Sequence, residues 1–196
     1  MQRKAIFLDR DGTINKEVNY LTKKENIDII EGSLEALLNF RNSGFLNIVI
    51  TNQSAVSRGL LTIDELEDIH SEFLKLVSFN NSSLINDIFY SPYHVDGIVE
   101  KYKILSNDRK PGTGLIEKAV KKYSIDLNSS FLIGDSYVDM KCAENSKLKR
   151  IIVMTGHGKS ELIKCKKENI FIEYIAENLL DASEYIMNFN QTCKLK

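Results

Sequence analysis

Residues 5–8, Ala-Ile-Phe-Leu, are apolar at every position and run directly into Asp9 and Asp11. A strand that is apolar at successive positions is buried on both faces, as in a parallel sheet covered by helices. Gly12 gives the chain conformational freedom to turn just beyond it. The two aspartates are therefore expected at the carboxyl end of a strand, where open α/β sheets keep their ligand crevice. Carboxylates this close repel one another unless a cation or a shared proton lies between them.

The rest of the chain alternates apolar runs with helical periods. Strands are expected at 46–52, 87–91, 130–135 and 150–156, with a sixth at 169–175. Residues 32–44 read as a helix with Leu34, Leu37, Leu38 and Phe40 on one face and Gly44 at its end. Thr62 and Glu65 have capping-box spacing, and Leu66, Ile69, Phe73, Leu76 and Val77 follow as an apolar stripe. Further helices are expected at 114–123, with Leu115, Ile116, Ala119, Val120 and Tyr123 inward, at 138–146, and at 178–189. The lysine-rich run 164–169 reads as a solvated face. This alternation predicts an α/β fold with a Rossmann-like parallel sheet and helices on both faces, as one domain over residues 1–196.

Composition excludes several function classes. With 26 basic and 27 acidic residues the net charge is −1, so no electrostatic footprint for nucleic acid or an anionic membrane is present. The apolar runs are far too short to span a bilayer, and the first residues enter a strand with no stretch of signal-peptide length. Three scattered cysteines, Cys142, Cys165 and Cys193, form no metal-binding or disulfide pattern. A cytoplasmic monomer is expected.

Four polar clusters fall at element ends: Asp9 with Asp11, Thr51 with Asn52, Asp135 with Asp139, and Arg109 with Lys110 before Pro111. Any one of them alone reads equally well as a cap or a turn. All carboxyl ends of a parallel sheet share one edge, so together they can converge. A calcium-binding EF-hand reading of DRDGT fails: the glycine comes too early and no glutamate occupies the twelfth position.

DRDGT, the VITN strand end, RKP and GDSYVD resemble, in order and spacing, the four motifs of the haloacid dehalogenase (HAD) superfamily. The likeness is closest to the phosphatases that remove the 7-phosphate from D-glycero-D-manno-heptose 1,7-bisphosphate and to their sister group, the histidinol-phosphate phosphatases. FLDRDGTIN, TNQSAVSRG, the long loop ending in RKP, and IGDSYVDM carry it. The resemblance implies that Asp9 is the nucleophile and that Asp11 is the general acid and base. It further implies a Mg²⁺ ion held by Asp9, the Asp11 carbonyl and Asp135. Thr51 and Asn52 would then bind phosphoryl oxygens, Lys110 would offset their charge, and Asp139 would orient Lys110 or a metal-bound water. The implied pathway is nucleotide-activated heptose synthesis for surface polysaccharide such as lipopolysaccharide.

The family usually carries a zinc loop, Cys-Pro-x-His and then Cys-x-Cys before Arg-Lys-Pro. Here Ser91 and Tyr93 stand in SPYH, and Ser106 and Asp108 in SNDRKP. No structural zinc is expected, because His94 lacks soft companions. A loop held by Tyr90, Tyr93 and Tyr102 is expected in its place. No stretch between the motifs is long enough for a folded cap, so a capless HAD fold is expected. Loops 15–27, 54–61 and 91–109 would then set specificity, with Arg58 and Arg109 as candidates for gripping a second phosphate. His157 and His70 read chiefly as a loop residue and a structural residue. A polynucleotide 3′-phosphatase and a catalytically silent binding module are the remaining alternatives, the first opposed by the charge balance and the second by the intact aspartates and lysine.

Overall fold

A computed structural model describes residues 2–194, with side chains described as far as Phe189. In chain order its first half comprises β1 (Lys4–Leu8), α1 (Ser33–Asn42), β2 (Phe45–Asn52), α2 (Ile63–Leu76), a small hairpin of β3 (Ser78–Phe79) and β4 (Ser82–Ser83), and β5 (Asp87–Ser91). The second half comprises α3 (Gly114–Tyr123), β6 (Phe131–Gly134), α4 (Tyr137–Asn145), β7 (Lys149–Val153), α5 (Gly158–Lys167), β8 (Tyr174–Ala176) and α6 (Leu179–Lys194).

The six long strands pair in parallel in the order β5-β2-β1-β6-β7-β8. The chain builds outward from β1 through β2 to β5, then returns to lay β6 on the other side of β1. The strand order thus reverses between β1 and β6, and open α/β sheets bind their ligands at the carboxyl end of such a reversal. Register places Leu8 beside both Val49 and Ile133. Asp9, one residue beyond Leu8, and Thr51 and Asp135, two residues beyond Val49 and Ile133, consequently emerge on one edge.

Period-two alternation divides the core between the two faces. Ile6 and Leu8 of β1 join Val49, Ile133 and Ile151 under α1 and α6. Ala5 and Phe7 join Ile48, Ile50 and Leu132 under α3, α4 and α5. A third cluster, Leu21, Ala55, Val56, Leu61, Leu66 and Ile69, packs α2 beneath the loops over the sheet edge. The capping box of α2 forms as its spacing predicts, with Thr62 N donating to Glu65 Oε2 at 2.8 Å and Glu65 N to Thr62 Oγ1 at 3.2 Å. Between the polar clusters, the largest structured insert among the described residues is the β3–β4 hairpin, in keeping with a capless form. No helix among the described residues is long and apolar enough to cross a membrane.

Several local expectations are corrected. In α1 the inward stripe runs through Ser33, Ala36, Leu37 and Phe40, and Leu34 is exposed. Ser33 is drawn in because its hydroxyl donates to the Ile14 carbonyl. Leu76, at the last turn of α2, is also exposed while Val77 is buried. The lysine run lies mostly on α5, which rests on the sheet through little more than Cys165 and Leu162, too sparse a stripe to show a helical period. The sixth strand is shorter and later than residues 169–175, because the chain leaving α5 needs Asn169 to Glu173 to reach the edge of β7.

One buried polar residue ties the sheet to its flanks. Asn47, within β2, donates through Nδ2 to the carbonyls of Leu37 (2.8 Å) and Leu84 (2.9 Å). Asn47→Leu keeps the volume and removes both bonds. The substitution should cost at least about 2 kcal/mol, because buried carbonyls lose their donors. Denaturant unfolding checks this, with a lowered midpoint and an unchanged slope as the expected result.

Candidate active site

The centre of the sheet edge is Lys110. Its ammonium lies 2.9 Å from Asp9 Oδ1 and 2.6 Å from Asp139 Oδ1, and donates to the Ile50 carbonyl at 2.9 Å. Its backbone is held from the β2 end, where Asn52 Oδ1 accepts from Lys110 N at 3.0 Å and Asn52 Nδ2 donates to Lys110 O at 3.1 Å. Burial disfavours the lysine's charge, but Asp139 and Asp9 outweigh it and raise its pKa. Asp139 sits where it does because it is the third residue of α4. Its Oδ2 caps the helix through Ser136 N and Oγ, which leaves Oδ1 for the lysine.

Asp9 continues β1, donating its N–H to Ile133 O at 3.0 Å. Asp11 is turned away from Lys110 and saturated by side chains. Arg10 donates to it through Nε (3.2 Å to Oδ1) and Nη2 (3.0 Å to Oδ1 and 2.8 Å to Oδ2). Asn15 Nδ2 reaches Oδ1 at 2.9 Å and Gln53 Nε2 reaches Oδ2 at 3.0 Å. Burial pushes the Asp11 carboxyl up, yet the Arg10 charge and these bonds prevail and hold it below the usual range. Gln53 also donates to Thr51 Oγ1 at 2.8 Å, which links the ends of β1 and β2.

Asp135 follows β6 and is wrapped closely by backbone. A Cβ on Gly12 would lie 2.2 Å from its Oδ2 and one on Gly156 2.1 Å, and both glycines have positive φ, so only glycine fits either place. His157 N donates to the same oxygen at 2.7 Å. Thr155 Oγ1 closes this loop onto the Gly12 carbonyl at 2.6 Å.

These residues fit a divalent cation. Asp9, Asp135 and Asp139 offer carboxylate oxygens within 4.8 Å of one another, and only the Lys110 ammonium is set among them. Burial, then Asp139, raises the Asp9 pKa to about 7 against the pull of Lys110. Burial, then Asp9 and Asp139, raises Asp135 to about 8. Such carboxyls are excess negative charge that a cation would relieve. Asp139 belongs to this cluster by distance, but both its oxygens are engaged by Lys110 and Ser136. Asp9 and Asp135 could hold such an ion, and few carboxylates plus water suit Mg²⁺.

A cleft of about 270 Å³ opens over this edge, lined by Asp9, Asp11, Thr51, Asn52, Lys110 and Asp135 among others. The catalytic, metal and phosphate candidates read from sequence are thus gathered in one place. The Asn52 side chain is spent on the Lys110 backbone, which the motif alone did not foretell. Arg58 and Arg109 are not in the wall of the cleft. The Arg58 guanidinium lies 5.9 Å from the ring centre of Tyr20, which lines the cleft, and Arg109 Nη1 donates to Tyr93 O at 3.3 Å. Burial, then the Arg58 charge, lowers the Arg109 pKa. Among the described residues no carboxylate pairs with either arginine.

The 91–109 loop is tied down by tyrosines and backbone. Tyr93 and Tyr102 rings lie 6.3 Å apart, Tyr90 packs on His70 at 5.2 Å, and the Ser57 carbonyl accepts from Ile98 N and Val99 N. His94 Nδ1 accepts from Asp96 N at 3.0 Å. His70 is buried, and burial, then the Arg10 charge, pushes its pKa down to about 3, so it is neutral and structural. His157 borders the cleft and serves Asp135 through its backbone. Sequence reasoning missed Arg10, Gln53, Asn15 and Ser136. Only Ser136 left a signal, its capping-box spacing to Asp139; the others are recognisable only by where their side chains point.

The raised carboxyls set the sign of a pH effect. An acid whose pKa rises on folding binds more protons folded than unfolded, so its contribution is full below the ordinary value of 3.8 and is lost as pH climbs to about 7–8. Lowered Asp11 and raised Lys110 titrate outside that window; His70, held neutral, opposes the trend between pH 6.5 and about 5.5, over a narrower span than the two carboxyls act. Metal-free protein should therefore melt at a lower temperature at about pH 8.5 than at about pH 5.5, and the gain in Tm on adding Mg²⁺ should be larger at the higher pH. Calorimetry at both pH values, with and without Mg²⁺, checks both signs.

Comparison with known proteins accords with this geometry. A HAD-hydrolase-like family model matches residues 107–182. The D-glycero-alpha-D-manno-heptose-1,7-bisphosphate 7-phosphatase of Photorhabdus laumondii is 42% identical over 81% of this chain and 86% of its own length. The D-glycero-D-manno-heptose-1,7-bisphosphate 7-phosphatase of Chlorobaculum tepidum is 32% identical over 91% of this chain and 92% of its own. Among solved structures, the D,D-heptose 1,7-bisphosphate phosphatase of B. bronchiseptica, complexed with magnesium and phosphate, superposes with a TM-score of 0.82 at 25% identity, covering 95% of this chain and 99% of that one. The four motifs that converge at one sheet edge and the relatives that match nearly end to end place this chain in the HAD-like phosphatases, in the family of the D-glycero-D-manno-heptose-1,7-bisphosphate 7-phosphatases.

Proposed function

We propose that the chain is a Mg²⁺-dependent phosphatase that removes the 7-phosphate of D-glycero-D-manno-heptose 1,7-bisphosphate, leaving the 1-phosphate. The observation that carries this reading is Asp9, paired at 2.9 Å with a buried lysine and facing an open cleft at the strand-order reversal. Named relatives support the heptose substrate over histidinol phosphate. The product would feed nucleotide-activated heptose synthesis.

In this reading an Asp9 oxygen attacks phosphorus while the bond from phosphorus to the sugar O7 breaks, and Asp11 gives O7 its proton. Water then attacks the aspartyl-phosphate, passes a proton to Asp11, and frees phosphate and the Asp9 carboxylate. Lys110 orients Asp9 and offsets phosphoryl charge, and Thr51 donates a hydroxyl to a phosphoryl oxygen. When bound by Asp9, Asp135 and the Asp11 carbonyl, Mg²⁺ supplies Lewis-acid neutralisation of the phosphoryl group. Hydrolysis of a phosphate monoester requires up to ~10²¹-fold acceleration, and a general acid contributes only about 10²- to 10⁴-fold. Most of the rate must come from positioning and preorganised charge, which is what the Lys110 cluster is built to provide.

Substrate choice would lie with Arg58 and Arg109, two cations near Tyr20 that have no carboxylate partners among the described residues. An open, capless cleft lets a second phosphate extend to them.

Asp9→Asn should cut phosphate release by at least about 10⁴-fold with the fold intact, since the lost oxygen acts in the covalent step. Steady-state kinetics together with circular dichroism checks this; retained turnover would remove Asp9 from that role. Arg58→Ala or Arg109→Ala should weaken kcat/KM for the bisphosphate by about 1.5–3 kcal/mol, the worth of a hydrogen bond to a charged group. A small monophosphate, unable to reach so far, should lose much less. Equal losses on both substrates would mean that the arginines serve the fold or the reacting phosphate.

A further inference from the structure

Arg10 is fully buried and heads the largest fully buried side chains among the described residues. Burying a guanidinium is costly unless its partners are well placed. Here Nε and Nη2 are both aimed at one carboxylate, that of Asp11, and Nη1 has no partner. The neighbouring His70 offers no counter-charge, since an imidazole is either neutral or cationic. The arrangement is therefore not a stabilising network spread through the core. It is a fork that fixes the plane of a single carboxyl group.

Two further donors complete the clamp. Asn15 Nδ2 reaches Asp11 from the tight turn after β1, and Gln53 Nε2 reaches it from the end of β2. The turn itself is pinned, since the Arg10 carbonyl accepts from Ile14 N at 2.9 Å and Gly12 N donates to Asn15 O at 2.8 Å. None of these three side chains donates to Asp9 Oδ1, which Lys110 approaches alone among the side chains. The site is thus held by two separate sets of contacts, one on Asp9 and one on Asp11.

We propose that Arg10, assisted by Gln53 and Asn15, is a positioning residue that aims the Asp11 carboxyl and so governs proton transfer to the leaving oxygen and from the hydrolytic water, without serving the nucleophilic attack of Asp9. The inference rests on the phosphatase reading above. Its chemical consequence is selective. An alkoxide leaving group needs a proton as the bond to phosphorus breaks, whereas a dinitrophenolate leaves without one. Damage to the Asp11 clamp should therefore be felt by sugar and other alkyl phosphates and hardly by an activated aryl phosphate.

The test compares wild type, Arg10→Lys and Gln53→Ala, all with Mg²⁺, on the heptose bisphosphate, a plain alkyl phosphate and 2,4-dinitrophenyl phosphate. Lysine keeps the charge and loses the fork. For Arg10→Lys, kcat/KM on the alkyl esters should fall by about 10²-fold, within the worth of a general acid, and on the dinitrophenyl ester by no more than about threefold. Rapid quench with the dinitrophenyl ester should show phosphoenzyme accumulating, because its hydrolysis still requires Asp11 as base. Equal losses on both ester classes would overturn the proposal, as a merely structural arginine predicts. If circular dichroism shows that Arg10→Lys is unfolded, Gln53→Ala decides: the same asymmetry at about tenfold supports the proposal, and uniform loss or none overturns it. Wild type that cleaves the alkyl ester but not the heptose bisphosphate would refute the substrate assignment and leave this comparison intact. Wild type inactive on all alkyl esters would overturn both.

Discussion

The ammonium of Lys110, buried between Asp9 and Asp139, is the interaction on which the rest of the site depends. It joins three separate parts of the fold: the end of β1, the first turn of α4, and the segment after the long loop that carries the lysine itself. A buried ion pair repays its desolvation only when geometry is good and the remaining donors are satisfied. That condition is met by the Ile50 carbonyl, by the Asn52 amide on the lysine backbone, and by Ser136 on the far oxygen of Asp139. The order of strands follows the same requirement, since only a reversal at β1 and β6 sets Asp9 between the ends of β2 and β6.

Charge at this edge is deliberately unbalanced. Burial, and then three carboxylates set against one lysine, raise the pKa values of Asp9 and Asp135. Under the proposed function, the same imbalance would draw a divalent cation to the edge and, with it, a phosphate dianion. Asp11 stands apart from that cluster, because Arg10 supplies it with a private counter-charge. In the proposed reaction this separation would matter, since one carboxylate would attack phosphorus while the other handled protons, and a shared network would tie the two functions together.

The loops above the sheet are held by ring packing and backbone bonds. Tyr93 and Tyr102 lie against each other, and the Ser57 carbonyl captures two successive amides of the long loop. Near this loop the Arg58 charge is felt by Arg109, and among the described residues neither arginine has a carboxylate partner. Under the proposed function, these two like charges would favour a second anionic group of the substrate beside them.

The sequence by itself determined the parallel sheet, its helices, and the identity of the residues at the sheet edge. It could do so because a doubly buried strand needs unbroken apolar runs, and because Asp9, Asp11, Lys110 and Asp135 each stand next to such a run or to a proline or glycine that marks its end. The α2 cap was legible for the same reason, being set by a spacing of three. What only the tertiary structure decided concerns side-chain direction and distant partners. Leu34 faces solvent while Ser33 is buried, because Ser33 has the Ile14 carbonyl to bond. Asn52 grips a backbone 58 residues away, and Gln53 reaches across 42 residues to Asp11. Arg10 looked like an ordinary polar residue between two aspartates, yet it is buried whole. No local pattern encodes such choices, because hydrogen-bond partners that are distant in sequence become neighbours only when the strands have been laid side by side.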